Sequence, residues 1–269
     1  MSLFWKYALA SVIGTSHVKA NLPCQDRSQC YVLPTITGES TLVAVVADGA
    51  GSAAQSQIGA EIACSETIAE LTNYFEEGGS SDDITSDFAQ GCLIRIQKKI
   101  VLHADADDFN LRDFACTWLA AVIGIDRAIF WQIGDGAIIY SEPDAVEDYG
   151  IVYWPEKGEY ENMTVFVTQP DASEHLMFDS ASKYVDEVAL ITDGIQRLAL
   201  NFTEQNAHSP FFRGMFTPLR AQDTGYSKHA SLALTTFLNS PKVNERTDDD
   251  KTLIIASRRP TIIAATSLK

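Results

Sequence analysis

Unbroken apolar runs, rather than strict alternation, set the rhythm of this chain. Leu42-Val43-Ala44-Val45-Val46-Ala47 contains no polar residue and stops at Asp48-Gly49. A run of that length ending in a turn dipeptide predicts a strand over 41–47 buried on both faces. Further strands are expected over 5–14, 28–33, 114–124, 127–133, 136–141, 148–154, 162–168, 187–192 and 252–257, with a loop over 15–27. Gly124-Ile125-Asp126 and Gly134-Asp135-Gly136 read as tight hairpin turns. From Ala54 the period changes. Ile58, Ile62, Ile68, Leu71 and Phe75 recur at helical spacing, with Ser52 and Gln55 resembling a capping box. A Gly/Ser/Asp loop over 76–83 separates this helix from a second, marked by Phe88, Leu93, Ile96, Ile100 and Val101. Later helical segments are expected near 194–201, 211–221 and 227–239, and Phe202, Phe211, Phe212 and Phe216 read as core rather than as a substrate-facing flap. The order of elements predicts an α+β layered fold in which helices cover antiparallel sheets.

Composition narrows the partners. Twenty Lys and Arg against 36 Asp and Glu leave a net charge of −16, which argues against nucleic acid. The apolar run Trp118 to Ile125 is too short to span a bilayer. Lys6 interrupts the apolar N-terminus, which therefore reads as a first strand and not a signal peptide. The five cysteines are odd in number, lack a Cys-x-x-Cys pair and sit in apolar segments, the usage of reduced thiols in a cytoplasmic protein. No histidine stands at zinc-ligand spacing from a cysteine pair.

Three acidic turns then stand out: Asp48-Gly49 after the first run, Asp193-Gly194 after Val188 to Thr192, and Asp248-Asp249-Asp250 before Leu253 to Ala256. A carboxylate where a buried strand meets a turn is costly unless paired or metal-bound. Ligands of oxygen alone favour Mg²⁺ or Mn²⁺. Because these turns lie in the early, late and final thirds, residues 1–269 read as one domain.

In this order the motifs resemble the metal-dependent serine/threonine protein phosphatases of type 2C. The family's Asp-Gly-x-Gly-Gly turn is similar to Asp48-Gly49-Ala50-Gly51-Ser52, its Gly-Thr-Thr strand to Ala115-Cys116-Thr117, and its Gly-Asp-Ser-Arg segment to Gly134-Asp135-Gly136-Ala137. Thr192-Asp193-Gly194 resembles its Ser-Asp-Gly turn, and Asp249-Asp250-Lys251-Thr252 its closing Asp-Asn-x-Thr. Pro23-Cys24-Gln25-Asp26 is similar to a bacterial subgroup. The resemblance implies a four-layer α-β-β-α sandwich, two antiparallel sheets flanked by helix pairs. It also implies hydrolysis of phosphoserine and phosphothreonine on proteins through two Mn²⁺ or Mg²⁺ ions and a bridging hydroxide. Asp48 would bridge the ions, Asp193 and Asp249 would hold the first, and the Gly49 carbonyl would reach the second. Asp135 matches a ligand of a third, weaker ion. Gln25 replaces a glutamate near the second metal, and Asp26 would orient water and backbone around it.

Two departures bear on activity. Asn21 falls where relatives carry a phosphate-binding arginine, which leaves His17 or Lys19 for that task. Ala50 replaces a histidine that could protonate the leaving group. The alternative is a catalytically weak relative that binds a phosphoprotein and regulates it; a nuclease is disfavoured by the acidic charge. Expected partners are a phosphorylated protein and a cognate Ser/Thr kinase, without nucleic acid or membrane, for a monomeric enzyme.

Overall fold

Alternate residues of one apolar strand face two different cores, which explains why its sequence contains no polar position. In β3 (Ser40–Ala47), Val43, Val45 and Ala47 pack toward helices, while Leu42, Ala44 and Val46 pack toward a second sheet. The same division recurs in β4 (Trp118–Ile123) and in β13 (Lys251–Ser257). These facts come from a computed structural model that describes residues 4–35, 38–145, 147–155 and 164–261.

One sheet has the order β2-β3-β4-β5-β8, with β2 (Arg27–Pro34), β5 (Ala128–Ile133) and β8 (Met177–Ala181), and is antiparallel throughout. The other has the order β12-β1-β13-β9-β6-β7. It uses β1 (Lys6–Val12), β6 (Ala137–Ser141), β7 (Gly150–Ile151), β9 (Glu187–Ile191) and β12 (Gly225–Tyr226). It is antiparallel except where β12 joins β1. A two-stranded ribbon, β10 (Leu200–Asn201) with β11 (Asn206–Ala207), stands apart.

Helices α2 (Ser56–Glu76) and α3 (Ser86–Asp107) cover the first sheet, and α5 (Ser209–Arg220) and α6 (Lys228–Leu238) cover the second. Three apolar clusters fill the three interfaces of this four-layer α-β-β-α sandwich. Short helices α1 (Thr15–Ala20), α4 (Gln196–Ala199) and α7 (Pro241–Asn244) lie in the connections. Phe212 and Phe216 are fully buried, as expected of core, whereas Phe202 is exposed.

Several sequence expectations are corrected. Gly134-Asp135-Gly136 is not a hairpin turn: β5 and β6 belong to different sheets, so this tripeptide carries the chain across the sandwich. Both strands are buried on both faces, so their sequences read the same for a hairpin and a crossover. Gly134 adopts φ +104°, which an L side chain rarely tolerates. The segment 15–27 contains α1, whose six residues are too few for a readable period; it closes on Asn21 in the left-handed region. The capping box does not form, because the Gln55 N–H donates to the Asp113 carbonyl and the helix starts at Ser56. The strand expected over 114–124 is preceded by a 3₁₀ turn, Leu111–Phe114, and that over 148–154 shrinks to β7. Of the strand expected over 162–168, residues 162–163 lie outside the described residues. The rest is irregular and tied down by the Val167 N–H donating to the Cys116 carbonyl at 3.0 Å. The cysteines are unpaired thiols, Cys24 half-buried and the other four buried.

Candidate active site

At one end of the sandwich, Asp48, Asp135, Asp193 and Asp249 line a common cavity of about 330 Å³. Each arrives by a different device. Asp48 follows the last residue of β3, and its turn is stitched to the segment before β4. The Thr117 N–H donates to the Asp48 carbonyl (2.8 Å), the Asp48 N–H donates to Thr117 Oγ1 (2.9 Å), and the Ala50 N–H donates to the Ala115 carbonyl (2.9 Å). Asp193 opens a 3₁₀ turn directly after β9. Its neighbour Gly194 lets two loops touch, since a Cβ there would stand 1.8 Å from the Asp250 carbonyl oxygen. Asp135 sits on the sheet-to-sheet crossover, where Thr164 Oγ1 donates to its carboxylate at 2.7 Å and Gln196 donates to its backbone carbonyl.

The triple Asp divides its labour. Asp250 is buried and points inward: its carboxylate accepts from the Gly14 N–H at 2.6 Å and from the Gln25 N–H at 2.5 Å. Asp248 and Asp249 line the cavity. Asp250 Oδ1 also lies 2.9 Å from His17 Nδ1, outside hydrogen-bond alignment, so the contact is an ion pair only when the ring is protonated. His17 itself is nearly buried and faces the cavity beside Gly51.

Of the residues singled out from the sequence, Asp48, Gly49, Asp135, Asp193, Asp249 and His17 therefore share one cavity. Gln25, Asp26 and Lys19 do not line it. Lys19 is exposed on α1. Gln25 is buried with Oε1 unpartnered, and its backbone N–H is spent on Asp250. Asp26 is fully buried behind the site, where it accepts a hydrogen bond from Thr192 Oγ1 at 2.8 Å. Thr164 carries no signal in sequence, and the Ala115-Cys116-Thr117 motif marks Thr117 but not its task, which is to hold the Asp48 backbone.

Burial, with crowding, raises the pKa of three of these carboxyls. Burial first, then repulsion from Asp26 and Asp193 and a hydrogen bond with Asp193, hold Asp48 well above the ordinary carboxylate range. Burial also lifts Asp193 to about 6; the hydrogen bond from Asp48 works against this rise, while Asp135 and Asp249 add to it. Asp26 is pushed up to about 7, chiefly by burial, against hydrogen bonds from Thr192 and Thr252.

This donor set suits a hard cation. All its side-chain ligand atoms are oxygen, the charges repel one another, and Asp193 Oδ1 is buried with no hydrogen-bond partner. Among the described residues no group of three His, Cys, Asp or Glu side chains is arranged to hold an ion as it stands, so the carboxylates ring the cavity rather than meet at one point. Also among the described residues, no helix is long and apolar enough to cross a membrane.

Comparison with known proteins gives the family and the fold. The family model described as Protein phosphatase 2C matches residues 13–239. The serine/threonine-protein phosphatase 3 of Escherichia coli (strain K12) is 38% identical over 254 residues, covering 94% of this chain and 98% of that protein. Among solved structures, a bacterial serine phosphatase superposes with a TM-score of 0.60 at 11% identity, covering 94% of this chain and 98% of its own. The serine/threonine phosphatase of S. agalactiae gives 0.58 at 16% identity, over 94% and 99%. At such identities these two likenesses concern the fold alone.

Proposed function

The chain belongs to the protein phosphatase 2C family of metal-dependent serine/threonine phosphatases, and from that premise we propose that it hydrolyses phosphoserine and phosphothreonine esters on proteins with two divalent ions, Mn²⁺ or Mg²⁺. The observation that carries this reading is the convergence of Asp48, Asp135, Asp193 and Asp249 on one cavity from four separate parts of the chain. Asp48, Asp193 and Asp249, with the Gly49 carbonyl, would hold the two ions, and Asp135 a third. When bound, such ions lower the pKa of water and neutralise charge that builds on the phosphoryl oxygens.

The chain's own groups supply orientation and charge. Thr117 fixes the Asp48 backbone, so that carboxylate enters the cavity without searching rotamers of a loose turn. Asp250 ties Gly14 and Gln25 together, and its Oδ1 lies beside the His17 imidazole at the cavity wall. His17 is the cavity's only basic side chain among the described residues. A protonated His17 would donate to a phosphoryl oxygen, the task that Asn21 and the exposed Lys19 do not take up. The substrate is a phosphoprotein made by a cognate Ser/Thr kinase, met by a monomeric enzyme in the cytoplasm.

The test is release of phosphate from para-nitrophenyl phosphate and from a phosphothreonine peptide. Activity should require Mn²⁺ or Mg²⁺ and vanish in EDTA. Full turnover in EDTA would remove metal ions from the reaction.

A further inference from the structure

A second cavity, of about 500 Å³, opens on the helical side of the β1-containing sheet. Its charged lining is wholly basic, Arg197, Lys242 and Arg246, although acidic residues outnumber basic ones 36 to 20 in the chain. His208 adds an imidazole and Asn201 an amide, and Phe202 and Phe237 supply apolar wall. Among the described residues none of the three cations pairs with a carboxylate, whereas Arg95, Arg213, Arg220, Arg258 and Arg259 all do. Unpaired like charges gathered round a concavity repel one another, and an anion relieves that repulsion.

Two of the chain segments that line this cavity run directly into the active site. Asp193 and Arg197 stand one helical turn apart along the 3₁₀ turn and α4, a rise of about 6 Å. Arg246 precedes Asp249 by three residues, at most about 10 Å of chain. We propose that the basic cavity is a docking subsite for an acidic segment of the phosphoprotein substrate, a few residues from the phosphorylated side chain. An extended peptide advances about 3.3 Å per residue, so carboxylates roughly three to five residues from the phosphorylated residue would reach Arg197, Lys242 and Arg246. An apolar side chain among them would lie against Phe202 and Phe237. The assignment rests on the phosphatase reading above and adds to it a substrate class: sites with acidic and apolar flanks.

The experiment compares two phosphothreonine peptides that differ only in three glutamates and their glutamine replacements at those positions. With the parent enzyme in Mn²⁺ and low salt, KM should be about five- to tenfold lower for the glutamate peptide, with similar kcat. The double variant Lys242→Glu/Arg246→Glu should abolish the difference while para-nitrophenyl phosphate turnover is retained. Fluorescence anisotropy with the unphosphorylated glutamate peptide, in EDTA, reads docking without catalysis. The parent should bind it more tightly than the glutamine peptide, and the double variant should not. Equal binding of both peptides by the parent, or an unchanged preference in the variant, overturns the docking site. A parent inactive on para-nitrophenyl phosphate would instead overturn the catalytic reading, and the anisotropy result would stand independently.

Discussion

At the scale of single residues, neighbouring aspartates have opposite tasks. Asp249 faces the cavity, whereas Asp250 spends its carboxylate on two backbone N–H groups. If these side chains hold the ions as proposed, Asp193→Asn or Asp249→Asn should lower metal-dependent turnover at least about a hundredfold, because each would remove an anionic ligand, and should leave thermal stability without metal undiminished. Asp250→Asn should instead destabilise. An amide has one carbonyl oxygen, so a buried N–H of Gly14 or Gln25 loses its acceptor, at a cost of about 1–3 kcal/mol. Thermal melts beside kinetics separate the two effects. A stable but inactive Asp250→Asn with an active Asp249→Asn would reverse the assignment.

At the scale of elements, the site depends on seams between segments distant in sequence. Thr117→Val keeps the shape of the side chain but deprives the Asp48 N–H of its acceptor. The expected result is a loss of about 1–3 kcal/mol together with a weaker apparent affinity for Mn²⁺, measured by denaturation and by metal titration of turnover. Thr117→Ser should restore both, since the hydroxyl acceptor returns. Such seams also set what could be read from the sequence. The strand ends bearing Asp48 and Asp193 were legible because unbroken apolar runs stop at Asp-Gly. The crossover at Asp135 was not, since strands buried on both faces look alike whether they pair with each other or part to different sheets. Lys19 and Asn21 could not be placed either: α1 is too short for a period, and only its contact with the 248–250 loop, through Ser16 and Asp248, fixes which of its residues face the cavity.

At the scale of the molecule, the packed carboxyls make stability depend on pH and on cations together. Asp26 and Asp193 titrate near 7 and 6 in the fold, against an ordinary value of 3.8, and Asp48 is also raised. The folded chain therefore binds more protons than the unfolded chain between about pH 4 and pH 7, and linkage makes stability fall as pH rises through that window. Asp193 and Asp26 complete their share of that loss about one unit above pH 7, while well below 3.8 both states are protonated and the effect disappears. In EDTA the melting temperature should drop by several degrees between pH 5 and pH 7.5, taking roughly 2–4 °C per kcal/mol for a chain of this size. Asp26→Asn should shrink that drop by removing the group with the highest of the two values. Added Mn²⁺ should raise the melting temperature more at pH 7.5, where Asp193 and most of Asp26 are ionised, than at pH 5, where protons compete with the ion. A melting temperature in EDTA that rises or stays flat from pH 5 to pH 7.5 would show that these carboxyls are not held protonated by their neighbours, and the electrostatic case for a cation in this cavity would fall with it.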